Sequence, residues 1–237
     1  MLAENWLPFS RWNLRYNPFG ELTAAERAGV AVFDPEPVLS ELGKGLVAIQ
    51  FIGDCGRGKT TRLLAIERRL PQRRLSECRL LDRRLPERRP SGLLCLPPLA
   101  AVNPVWWGRA LRTDGDPVMI DEAQRIPLPV RMAIFRRRVP LVLGTHRDFS
   151  RELRPFGYRV TTVRVGPQND ARHVAEVANA RIAAARLKPT ATVPVLSIGD
   201  AETLVARFGD DLRAIETFLY NRVQQQVGRD EQMRFVD

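Results

Sequence analysis

Apolar residues follow two rhythms along the chain, and the change from one to the other falls near residue 166. Before that point, short unbroken apolar runs alternate with stretches of helical spacing. Gly45 to Ile52 (GLVAIQFI) is rich in branched apolar residues and bounded by glycine, as a buried strand should be. Thr60 to Leu70 follows with Leu63, Leu64 and Ile66 at helical spacing, and it stops before Pro71. Residues 92 to 97 (GLLCLP), Pro117 to Asp121 and Pro140 to Thr145 repeat the strand-like run. Leu128 to Arg138 repeats the helical spacing through Val130, Ala133 and Ile134, and Tyr158 to Val165 (YRVTTVRV) alternates with a period of two, as a strand should.

After Gly166-Pro167 the pattern is helical throughout. Asp170 to Lys188 sets Val174, Val177, Ala178 and Ile182 on one face, and Asp200 to Phe208 is a second helix. Asp210 to Val227 carries a stripe of Leu212, Ile215, Leu219 and Val223. At the other end, residues 1 to 45 predict an irregular segment and then a short helix. Asn17-Pro18-Phe19-Gly20 is a turn signal there, and Thr23 to Glu26 has the form of a capping box. Residues 71 to 116 resist assignment, being crowded with proline and with the arginine-rich run RRLSECRLLDRRLPERRP. Strands alternating with helices predict an α/β fold whose parallel sheet is sandwiched by helices, spanning residues 1–166 with an N-terminal extension; residues 167–237 form a small helical subdomain.

Composition sharpens this picture in three places. A chain of 237 residues that is 44% hydrophobic can build one sizeable core, or a core with a satellite. No apolar run approaches the roughly 18 residues of a membrane span, and the N-terminus lacks the basic-then-apolar order of a signal peptide. Three cysteines (Cys55, Cys78, Cys95) form no CxxC pair, so a reduced, cytoplasmic setting without disulfides or zinc is expected. The net charge of +10 points toward nucleic acid, yet of 37 basic residues only Lys44, Lys59 and Lys188 are lysines. Such a bias suits a proteome that prefers arginine as well as it suits a nucleic-acid face, and both readings stay open.

The candidate chemistry begins at Gly53-Asp54-Cys55-Gly56-Arg57-Gly58-Lys59-Thr60, which satisfies G-x-x-x-x-G-K-[ST] between a predicted strand and a predicted helix. Glycines permit the positive-φ turns that aim successive backbone N–H groups at a phosphate. The start of the following helix, with Thr61 in its first turn, faces the same anion. Lys59 would reach the β and γ phosphates of a nucleotide, and the Thr60 hydroxyl would coordinate Mg2+. A second acid is then needed near the metal, and Val118-Met-Ile-Asp121-Glu122 places one at a strand's C-terminal end. Asp121 would serve the metal, and Glu122 would polarise an attacking water.

GDCGRGKT, then PVMIDEAQR with Asp121 62 residues after Lys59, then LVLGT together resemble AAA+ P-loop ATPases. The resemblance is to compact bacterial ones related to transposition and secretion ATPases and to origin-recognition initiators, and it covers roughly residues 15 to 225. It implies ATP and Mg2+ as ligands and a helical lid at the C-terminus. Thr145 holds the place of the polar residue that senses the γ phosphate, with His146 beside it. Arg147, Arg151 and Arg154 fall where the family carries its arginine finger, Arg151 or Arg154 being favoured, and Arg213 resembles the lid's sensor arginine. Asn17, Pro18 and Phe19 resemble the stretch near the adenine; a packing turn is the alternative.

Three functions follow as expectations. The first is a magnesium-dependent ATPase that switches or assembles a partner, with an ATP-dependent homo-oligomer expected from the finger. The second is an ATP-gated, DNA-associated adaptor with little hydrolysis of its own. A small-molecule kinase is third, disfavoured by the acid pair and the helical tail.

Overall fold

The computed structural model describes residues 8–70, 93–95, 117–228 and 233–236. The arginine-rich run at 73–90 and the N-terminal residues 1–7 lie outside them. Two compact units are present. One comprises, among the described residues, 33–54, 59–70, 93–95 and 117–165; the other comprises 8–32, 55–58, 166–228 and 233–236.

The first unit is a five-stranded, all-parallel sheet flanked by helices. Its strands are β1 (Val47–Ile52), β2 (Leu93–Cys95), β3 (Val118–Asp121), β4 (Leu141–Thr145) and β5 (Arg159–Arg164), in the order β2-β3-β4-β1-β5. Four of the five strands coincide with the predicted apolar runs, and β5 with the alternating stretch. The helices of this unit are α2 (Glu36–Leu42), α3 (Lys59–Arg69), α4 (Leu128–Arg136) and the single turn α5 (Ser150–Leu153). In the other unit lie α1 (Ala24–Gly29), α6 (Ala171–Ala184), α7 (Ile198–Phe208) and α8 (Leu212–Gln225).

Four of the helix starts have a side-chain cap. Thr23 accepts the N–H of Glu26 while the Glu26 carboxylate accepts that of Thr23, so the expected capping box opens α1. Asp170 and Asp211 cap α6 and α8 by accepting first-turn N–H groups without a reciprocal bond, and Ser197 with Asp200 boxes α7. On one face of the sheet, Ala48, Ile120, Leu141 and Leu143 pack with Ile134 and Phe135 of α4 and with Phe149, Leu153 and Tyr158. Phe135 centres the cluster, its ring 6.4 Å from that of Tyr158 and 6.1 Å from that of Phe156. The Tyr158 hydroxyl donates to the Val139 carbonyl at 2.9 Å, and burial pushes that phenol up to about 12.

The helical unit closes around Val174, Ala178, Ile182, Ile215, Leu219 and Val223 of the predicted stripes, with Leu204 joining them, while Val177 and Leu212 of those stripes are only half-buried. The N-terminal segment belongs to this unit and not to the sheet, which differs from the expected division at 166. Leu14 is fully buried in the helical core, the Asn13 amide donates to the carbonyls of Lys188 and Ala191, and Arg15 donates to Ala184. A segment so short gains its order from the surface it covers.

Strand order positions the candidate chemistry. The chain leaves β1 toward β2, beyond β4 and β3, whereas it leaves β4 toward β5 on the other side of β1. Two neighbouring strands whose connections depart in opposite directions open a crevice at their C-terminal ends, where α/β sheets bind ligands.

Candidate functional site

Three strand ends meet at that crevice. β1 runs out at Ile52 into the glycine turn, β3 ends at Asp121 and β4 at Thr145. Register sets Thr145 beside Ile52, and the Gly53 N–H donates to the Thr145 carbonyl at 3.2 Å. A side chain at position 53 would collide with the Val165 carbonyl, so glycine is required there.

Lys59, the first residue of α3, is 4% exposed. Its ammonium donates to the carbonyls of Gly53 at 2.7 Å and Asp54 at 2.8 Å, and stands 3.5 Å from His146 Nε2. Among the described residues no carboxylate pairs with it. Next along α3, the Thr60 hydroxyl donates to Asp121 Oδ2 at 2.5 Å, while Asp121 Oδ1 accepts the Glu122 N–H at 3.0 Å. That carboxylate lies over Gly144, where a Cβ would stand 2.5 Å from Asp121 Oδ1 and 3.0 Å from Leu63. The sheet therefore makes room for the acid by omitting a side chain on the adjacent strand.

Glu122 turns the chain sharply, with φ at 53°, into the 3-10 turn Ala123–Arg125. Its Oε2 accepts from Gln124 Nε2 at 2.7 Å and stands 3.4 Å from Arg125 Nε; its Oε1 lies 3.5 Å from His146 Nε2. Thr145 is fully buried, and its hydroxyl exchanges bonds with the Arg147 N–H (3.1 Å) and carbonyl (3.0 Å), capping its own turn. Thus Lys59, Thr60, Asp121, Glu122, Thr145 and His146 come together in the sheet unit, with Thr61 half-buried on the same first turn of α3.

The finger candidates separate. Arg147 pairs with Glu152 at 2.5 Å and covers the Phe149 ring at 4.7 Å. Arg151 is exposed on α5 and forms no hydrogen bond or ion pair among the described residues. Arg154 is exposed as well and lends its charge to Asp148. Asp148 is held below the usual carboxylate range by the Ser150 hydroxyl, then by the Ser150 N–H and the Gln50 amide.

Residues 55–58 group with the helical unit. Gly56 and Gly58 have φ of 79° and 91°, a left-handed backbone that favours glycine, and Cys55 is exposed. Arg57 pairs with Asp210 at 2.7 Å and Asp211 at 3.4 Å, and the buried Asn169 amide donates to the carbonyls of Arg57 (3.4 Å) and Asp210 (2.9 Å). A side chain at Gly56 would strike Asp211 Oδ1. Arg213 is the second residue of α8; its N–H donates to Asp211 Oδ1 at 3.0 Å, and its exposed side chain forms no ion pair among the described residues.

Asn17, Pro18 and Phe19 are engaged within the helical unit, by α6, α8 and the segment 233–236. The Asn17 amide donates to the Tyr220 carbonyl at 3.0 Å, Phe19 meets Phe235 edge-on at 6.2 Å, and the buried Arg181 donates to the carbonyl of Pro18 at 2.8 Å. These contacts pack the turn within the helical unit.

Sequence reasoning missed Gln50, Gln124 and Asn169. Gln50 sits fully buried in mid-β1 and joins Asp148 (2.6 Å), Ser150 (3.0 Å) and Thr162 (2.8 Å) through Nε2, while its Oε1 accepts the Phe149 N–H at 3.0 Å. It fastens to β1 the connection that follows Thr145 and carries His146. The signal for it was a lone amide inside an apolar run.

No protein-family profile matches the chain, and no curated protein matches it in sequence. No helix among the described residues is long and apolar enough to cross a membrane.

Proposed function

We propose that the chain is a magnesium-dependent ATPase of AAA+ type with a P-loop at Gly53–Thr60. The observation that carries this reading is the convergence of the Lys59 ammonium, the Thr60–Asp121 pair and the Glu122 carboxylate at adjoining strand ends. Among the described residues the buried ammonium meets two backbone carbonyls and the His146 ring but no carboxylate, so its charge is available to a phosphate. Thr60 and Asp121 fit a magnesium ion by chemistry: both offer oxygen, and an ion that keeps most of its waters needs few protein ligands. Among the described residues no group of three or more His, Cys, Asp or Glu is placed to hold a metal, and the two-oxygen set does not require one. Once bound, magnesium would neutralise phosphate charge.

Glu122 would accept the proton of a water attacking the γ phosphorus, forming one P–O bond as the bond to the β-phosphate oxygen breaks and ADP leaves. Arg213 as lid sensor and Arg151 or Arg154 as a finger toward a second copy remain part of the proposal, as does action on a DNA or protein partner.

The test is phosphate release and binding of a fluorescent ATP analogue. Glu122→Gln is expected to bind like wild type and to lose turnover by at least about 100-fold. Wild-type-like turnover in Glu122→Gln would remove the glutamate from its role. A wild type that binds the analogue without turnover, with or without DNA, would favour the gated-adaptor reading.

A further inference from the structure

Glu122 is held by a partner of unusual chemical form. Gln124 lies two residues on, and the left-handed turn at Glu122 brings it back beside the carboxylate. Its Nε2 donates to Glu122 Oε2 at 2.7 Å, and its Oε1 accepts the backbone N–H of His146 at 3.3 Å. His146 in turn sets Nε2 3.5 Å from Glu122 Oε1, so the three residues close a ring. The polarity of the two contacts is opposite: a carboxylate demands a donor and an N–H demands an acceptor. An amide supplies one of each, and only one of its two flips satisfies both.

We propose that Gln124 is a positioning residue, which sets the Glu122 carboxylate from the end of β4 and thereby ties water activation to the strand that ends in Thr145; the inference rests on the ATPase reading above. Thr145 and His146 are consecutive, and the Thr145 hydroxyl locks the turn that follows. A displacement of that turn shifts the His146 N–H, and Gln124 carries the shift to the base. His146 Nε2 also lies 3.5 Å from Lys59 Nζ. One neutral ring nitrogen carries either a proton for Glu122 or a lone pair for Lys59, and it cannot serve both. An ammonium that turns toward a phosphate no longer competes for Nε2. The ring then gives up its Nδ1 proton to water and takes one from water at Nε2, and this N–H donates to Glu122, completing the hold on the base when substrate is present.

The experiment compares wild type with Gln124→Glu, Gln124→Ala and Gln124→His. It reads phosphate release per site counted by titration with the fluorescent ATP analogue, together with KM and the analogue's Kd. Gln124→Glu keeps size and shape but sets a second carboxylate against Glu122. It is expected to lose about 30-fold or more in kcat, against about tenfold for Gln124→Ala, with KM and Kd within about twofold of wild type. Gln124→His retains one donor and one acceptor and should recover to within about threefold. A half-buried side chain with a merely structural role would tolerate the isosteric Gln124→Glu, so wild-type kcat per site in that variant overturns the proposal and leaves the ATPase reading standing. Equal losses in Gln124→Glu and Gln124→His overturn it as well. A wild type that neither binds the analogue nor releases phosphate overturns the ATPase reading itself.

Discussion

Lys59 and Arg57 are two residues apart in one turn, both are cations, and their surroundings are opposite. Lys59 is almost fully buried, and its hydrogen bonds go to neutral backbone carbonyls. Arg57 faces two carboxylates, Asp210 and Asp211, in the helical unit. A buried ammonium among neutral oxygens is solvated without being neutralised, and it gains when an anion arrives. A guanidinium between two carboxylates has its counter-charge already. In a chain with 37 basic residues, the partner of each cation says more about anion binding than the total does.

The contrast is broken most directly by removing each cation. Lys59→Met is expected to weaken binding of the ATP analogue by about 100-fold, the value of a charge-assisted bond near 3 kcal/mol. Equal losses in Lys59→Met and Arg57→Met would show that the partner does not decide which cation is available.

A second variant tests the acidic side of the same site. Gly144→Ala puts a methyl 2.5 Å from Asp121 Oδ1, and the carboxylate must shift from the position in which it accepts from Thr60 and from the Glu122 N–H. The magnesium concentration for half-maximal turnover should rise about tenfold, as when a ligand's supporting contact is lost. Unchanged magnesium dependence would remove Asp121 from the metal's surroundings. Third in size is Arg57→Met itself, whose binding should stay within about threefold of wild type. Its pair is partly exposed, at 17% and 39% of the side chains, so unfolding should become easier by only about 1 kcal/mol. That difference should shrink in 1 M salt, measured by denaturant titration.

How much of this was legible follows from the range of the interactions. Strands β1, β3 and β4 announced themselves because a strand buried on both faces reads as a nearly continuous apolar run, and Asp121 was placed by ending such a run. Thr23 and Glu26 were legible because a capping box is local. α2 was missed: it is seven residues long and follows Pro35 directly, so no periodic stripe had room to develop. β5 alternates in sequence, but as the edge strand it is only half-buried at Val160 and Val163, three residues apart, and exposed elsewhere. Gln50 was illegible for a deeper reason. Its partners Asp148, Ser150 and Thr162 are about a hundred positions away, and nothing in GLVAIQFI distinguishes an anchoring amide from an interruption. The attachment of the N-terminal segment to the helical unit rests on contacts of the same long range, such as Asn13 with Lys188.

The smallest expected effect comes from the mirror image of Lys59, an anion held by neutral donors. Asp148 receives the Ser150 hydroxyl and N–H and the Gln50 amide, and these lower its pKa from the ordinary 3.8. A folded-state pKa below the unfolded one stabilises the fold above the unfolded value, and that contribution fades as pH falls through the folded one. Asp148→Asn should therefore lower Tm slightly at neutral pH, and the gap to wild type should close in acid, below the usual carboxylate range. Because Asp148 is exposed, solvent screens the effect, and a shift of a few degrees at most is expected. A gap that stays constant from pH 7 to pH 3 would mean that the donors hold the side chain's shape and not its charge. The principle drawn from Lys59 would then apply only to groups the protein has taken out of water.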